Sequence, residues 1–194
     1  NQYIVSTKVV MRNKRLLFLI IIGAMMAAPI TTLYLYLPDY LRDLGYSYLE
    51  MGLLLGFHSG LAAMGGFFAH RLEKKYKEKK ILYFIPLFIT ISFWLVLVEQ
   101  IIIIPFLILG FFDSIFYVVL LDYINKIVPS EIRATVLSFN GMMFSFVMIL
   151  IFPLIGLISN FYGLWIGYLI LAIIISMFYL FLLKVLSGNQ LDKI

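Results

Sequence analysis

Six apolar stretches of membrane-crossing length run through the chain, and fourteen of its fifteen Lys and Arg residues lie to one side of them. Hydrocarbon is about 30 Å thick, and a helix needs roughly 20 residues to cross it. The stretches are approximately Leu16–Leu37, Met51–Ala69, Ile81–Val98, Ile101–Leu121, Ala134–Ile158 and Leu164–Leu183. Of the 194 residues 63% are hydrophobic and only 13% charged, too little charge to clothe a soluble surface. The expected fold class is an all-α membrane protein with six transmembrane helices. Residues 1–15 read as a cytosolic linker or interfacial segment, 16–183 as the six-helix bundle and 184–194 as a cytosolic tail.

Six crossings put both termini on one side, and charge decides which. Lys8, Arg12, Lys14 and Arg15 precede the first span; Arg71, Lys74, Lys75, Lys77, Lys79 and Lys80 separate the second and third. Lys126 and Arg133 lie between the fourth and fifth, and Lys184 and Lys193 follow the sixth, leaving Arg42 alone opposite. Basic loops stay in the cytoplasm, so both termini should be cytosolic in a cell membrane. Trp94, Trp165, Tyr162, Tyr36, Tyr40, Tyr46 and Tyr48 cluster near the outer span ends, where amphipathic rings settle.

The same arithmetic excludes other classes. A net charge of +5 would suggest nucleic acid in a soluble chain, but here topology and attraction to anionic lipid account for it. Without cysteine there is no disulfide scaffold and no thiolate metal site. No P-loop, dinucleotide fingerprint or metal-ligand cluster occurs, so neither enzyme nor cofactor is expected. Phe57-His58-Ser59-Gly60 lacks the first glycine of an intramembrane serine protease, and an aspartyl protease would need a second deep acid. The chain begins at Asn1, from which upstream residues are expected.

The spans fall into two triplets around a short outer turn at Glu99–Gln100. Pro38-Asp39-Tyr40-Leu41-Arg42 follows the first span and Pro129-Ser130-Glu131-Ile132-Arg133 the fourth. Each leads into a helix rich in small residues, one outside and one inside, which reads as an inverted repeat of three helices. In the second span Gly52, Gly56 and Gly60 recur every four residues, and Ser138, Gly141 and Ser145 form a smaller stripe in the fifth. Such spacing predicts close contact with another helix.

Asp113 is the sharpest candidate for chemistry. It lies mid-span with no Lys or Arg within ten residues, and an ionised Asp at bilayer depth costs roughly 2.5–3.5 kcal/mol. Gly110 and Tyr117 share its helical face, which therefore reads as wet. Asp113 should bind a proton, a cation or a substrate group; otherwise it is a neutral Asp that orients neighbouring helices. His58, also mid-span, points away from the glycine stripe and suits proton coupling. Asn140, Thr31 and Tyr34 are further ligand-binding candidates with Tyr117. Thr32 and Ser59 are weaker, because hydroxyls in membrane helices often bond back to their own backbone.

Three motifs carry a resemblance. Gly66-Phe67-Phe68-Ala69-His70-Arg71-Leu72-Glu73-Lys74-Lys75 resembles a degenerate G-x-x-x-D-R-x-G-R-R/K loop, with His70 for the Asp and Glu73 for the second Gly. Asn125 to Ala134, leading into Ser138, is similar to an N…vP-x-x-x-R-A loop, and Pro153 to Gly163 resembles a common ending of the following helix. Together they resemble the C-terminal six-helix half of a major facilitator superfamily transporter. The resemblance implies that spans one, two, four and five line a cavity while three and six face lipid. It implies Arg71 and Arg133 in cytosolic gating loops, although His70 removes the Asp-based part of that network. It also implies alternating access between two such bodies, so the expected partners are a small-molecule substrate, the bilayer, and a missing N-terminal half or a second copy. Ion- or proton-coupled transport follows, with drug efflux as the first expectation. The alternatives are a membrane scaffold or assembly subunit, and an oligomeric channel.

Overall fold

In the computed structural model residues 13–187 are described, and the expected linker before Asn13 and most of the tail lie outside them. Six helices follow one another: α1 (Lys14–Asp43), α2 (Tyr48–Tyr76), α3 (Glu78–Val96), α4 (Ile103–Ile127), α5 (Arg133–Tyr162) and α6 (Leu164–Ser187). Short 3₁₀ turns at Glu99–Ile101 and Ser130–Ile132 precede α4 and α5, and no strand occurs among the described residues. All six helices are long and apolar enough to cross a membrane. Hydrocarbon offers backbone groups no outside partner, so each segment satisfies its own N–H and C=O groups.

Helix ends explain the joints. The Asn13 side chain accepts the Leu16 N–H at 3.1 Å, so α1 begins at Lys14, slightly before the expected bundle. A capping box opens α2: Ser47 Oγ accepts the Glu50 N–H at 3.3 Å, and Glu50 accepts the Ser47 N–H at 2.8 Å. A single residue, Lys77, joins α2 to α3, and a single residue, Gly163, joins α5 to α6. Their backbones nearly coincide, at φ 60° and ψ 154° against φ 86° and ψ 156°.

The helices outrun the expected spans, and one reading changes with them. Pro38 lies inside α1, so the first P-x-x-x-R copy ends a helix and is not a loop. In the second copy Val128 is extended, Pro129 precedes the 3₁₀ turn and Arg133 starts α5. The two copies therefore have different local structures. The inverted repeat survives in the packing: α2 lies along α4 as α5 lies along α1, while α3 meets α4 as α6 meets α1. The pairs α3 with α6 and α1 with α4 exchange into themselves under the same operation, while α5 packs on α6 more closely than its counterpart α2 does on α3.

Burial separates the helices sharply. In the most apolar window of α1, 67% of residues are buried, against 17% in those of α2 and α5. Glycines open the principal seams: a methyl added to Gly65 would run into the Phe111 backbone carbonyl, and one added to Gly156 into the Tyr36 side-chain hydroxyl. The expected glycine seam is corrected here. Around Gly52, Gly56 and Gly60 nothing approaches within 4 Å of an added methyl, so the α2 stripe faces away from the bundle, and Gly141 of α5 is equally clear because it borders an open pocket. Four-residue spacing identified a smooth face but could not say which body covers it.

Candidate functional site

One pocket of about 280 Å³ gathers residues from three helices. From α1 come Gly23, Ala24, Ala27 and Thr31; from α4, Asp113, Tyr117 and Leu120; from α5, Asn140, Gly141 and Phe144. The α1 wall is built of small residues because α1 is the most buried helix, and its missing side chains leave the space. Gly23 brings the α1 backbone close to Asn140, whose Oδ1 would lie 3.9 Å from an added methyl. Chemistry enters from α4 and α5.

Depth follows from helix geometry. Asp113 lies ten residues beyond Ile103, about 15 Å along the axis, or near the middle of a 30 Å hydrocarbon layer. Its carboxyl group makes no hydrogen bond or ion pair with the described residues. The Tyr117 side chain beside it is 46% exposed, while Asn140 is 9% exposed at the opposite wall. A carboxyl, an amide and two hydroxyls thus edge an otherwise small and apolar space. Such a wall can hold a cation, a proton or a polar substrate group and contact its apolar remainder.

Four of the six candidates meet there: Asp113, Tyr117, Asn140 and Thr31. The other two form a separate cluster. The His58 ring stacks on Phe106 at 4.4 Å and 20°, and Tyr34 lies 5.2 Å from it. Gly110 makes room for this imidazole: an added methyl would come within 2.7 Å of His58 Nε2. So Gly110 borders His58, not the Asp113 pocket, and α2 lends that pocket no lining residue. His58 Nε2 is buried without a hydrogen-bond partner among the described residues. The hydroxyls of Thr32 and Ser59 donate to Ala28 O at 2.8 Å and Leu55 O at 2.9 Å, bonding back within their helices.

At the basic end, neither Arg71 nor Arg133 makes the principal ion pairs. Arg71 lies over the ring of Phe67 at 4.6 Å on its own helix, and Arg133 is exposed at the start of α5. Instead Lys126 of α4 pairs with three acids: Glu73 at the end of α2, Glu78 of α3 at 2.7 Å, and Asp122 of α4 at 2.9 Å. The Glu73 side chain is only 8% exposed, so it depends on that ammonium for its solvation. Arg15 at the start of α1 donates to the Tyr123 hydroxyl nearby. Sequence reasoning missed the Lys126 group. Its signal was Glu73 standing where the resembled loop has glycine, together with the i, i+4 spacing of Asp122 and Lys126.

Opposite, aromatic residues tie the helix ends. The Tyr40 hydroxyl donates to Glu99 Oε1 at 3.0 Å, Trp165 Nε1 to Leu97 O at 3.0 Å, and Trp94 Nε1 to Ser176 Oγ at 3.0 Å.

No curated protein matches the chain. The sequence pattern of the Major Facilitator Superfamily matches residues 1–102, just over half of the 194 and inclusive of α1 to α3. Asp113, Tyr117 and Asn140 lie beyond the matched stretch. Six membrane-length helices are what one half of that fold contains. The chain belongs to the major facilitator superfamily, a group of multi-pass membrane transporters.

Proposed function

We propose that this six-helix body is one half of a secondary active transporter that moves a small solute by alternating access, with Asp113 as the coupling and binding group. One observation carries the reading: Asp113, unpaired among the described residues, lies mid-helix in a pocket shared with Thr31, Tyr117 and Asn140. An unpaired acid at that depth is costly, and binding a proton or a cationic solute removes the cost. Phe144 and Tyr117 offer aromatic faces to such a solute, which supports apolar cations as substrates and proton-coupled drug efflux as the direction. His58, a turn of α4 away through Gly110, is a second titratable group for the same coupling.

A working transporter needs a second body against the pocket's open side. The open glycine face of α2 and the matching face of α5 support one: an N-terminal six-helix half, or a second copy. The cation-rich end, with Arg71 and Arg133, faces the cytosol in this reading, and both termini lie there in a cell membrane.

Asp113→Asn tests it in cells expressing the natural protein. Coupled transport should be lost while the variant still inserts and elutes as a single species in detergent. Coupled transport at the normal rate in that variant would remove Asp113 from the mechanism.

A further inference from the structure

We infer that the wedge between α2 and α3 at the basic end is a binding site for one anionic phospholipid. The two helices meet at the single residue Lys77 and then diverge, because each packs against α4 more than against its neighbour. Divergence leaves a groove of about 250 Å³ lined by Leu72 and Tyr76 of α2 and by Lys80, Ile81, Phe84 and Ile85 of α3. Its wall is apolar, since Lys80 contributes its aliphatic stem and carries its ammonium to the mouth. Lys80 to Ile85 spans about 7.5 Å of helix, half of a single leaflet, so the groove holds the upper part of an acyl chain.

The mouth supplies the headgroup partner. Lys75 Nζ lies 5.2 Å from the centre of the ring of Tyr76, a groove-lining residue, which brings a second ammonium to the edge of the groove that Lys80 also lines. Both acids of this segment, Glu73 and Glu78, are committed to Lys126. Cations therefore dominate the mouth while hydrocarbon lines the interior. That is the charge pattern of an anionic headgroup on an acyl chain, and a zwitterionic lipid or a free anion matches only half of it.

The experiment is native mass spectrometry of the purified chain in mild detergent with equimolar dioleoyl-phosphatidylglycerol and dioleoyl-phosphatidylcholine. Phosphatidylglycerol adducts should predominate. Lys80→Gln should weaken phosphatidylglycerol binding about fivefold, the effect of one cation at a lipid surface. Lys74→Gln makes the same charge change at the same end of the bundle but lies about 200° around α2 from Leu72, and it should leave the adducts unchanged. Equal losses in the two variants would reduce the site to diffuse attraction. No preference for phosphatidylglycerol, or an unchanged Lys80→Gln, would remove it.

Discussion

The first three helices and the last three occupy equivalent places in the bundle yet carry different burdens. α1 gives the pocket Gly23, Ala24, Ala27 and Thr31, which is mostly room; α4, its counterpart, gives Asp113 and Tyr117. The joints differ in the same way. Gly163 adopts its backbone angles freely, whereas Lys77 holds nearly the same angles with a side chain attached. Symmetry of packing therefore does not require symmetry of chemistry. A repeat can hold its architecture through helix contacts while one copy acquires the reactive group.

The contrast between α1 and α4 gives the largest expected effect. Asp113→Asn should lower coupled transport about a hundredfold, and Thr31→Val about fivefold, the difference between losing a charged and a neutral hydrogen-bonding group. Equal losses would mean that α1 and α4 share the chemistry. Among the glycines of α2, Gly65→Ala should cost about 2–3 kcal/mol in chemical denaturation, because the Phe111 backbone cannot yield to a methyl. Gly56→Ala should alter stability by about 0.5 kcal/mol or less, its surroundings being open. Should Gly56→Ala nonetheless stop transport, the open stripe is a working contact with the second body.

Lys126→Met comes next, at about 1–2 kcal/mol. Removing the partner of a buried carboxylate is costly, but half-exposed Lys126 already shares water, which discounts the loss. Arg71→Gln, on the same end, should leave the unfolding midpoint unchanged. The last effect is a gain. Lys77→Gly should raise stability by about 1 kcal/mol, since positive φ with extended ψ suits glycine and the added unfolded-state freedom offsets only part of the relief.

The number of helices was legible because hydrocarbon imposes length, and cost singled out Asp113 and Asn140 as deep polar groups; that Thr31 and Tyr117 would join them while His58 and Tyr34 would not was decided by packing. The direction of the α2 glycines was not legible either. A smooth stripe is the same in sequence whether its partner is the next helix or another body. The Lys126 group was hidden for a different reason, since Glu73 and Lys126 are 53 residues apart and meet only once α2 lies along α4. Pro38 and Pro129 show the limit of short motifs. With identical spacing, one is accommodated within a helix and the other closes a turn, and the decision rests with flanking backbone such as extended Val128.

The single-residue joints also restrict how the body can deform. One peptide unit reaches at most about 3.6 Å, so α2 cannot slide along α3 at Lys77, nor α5 along α6 at Gly163. With six crossings the two pins fall at opposite ends of the bundle, one in each triplet. Each triplet therefore turns its last two helices about a fixed corner, and movement of one triplet against the other falls to the turn at Glu99–Ile101 that joins them.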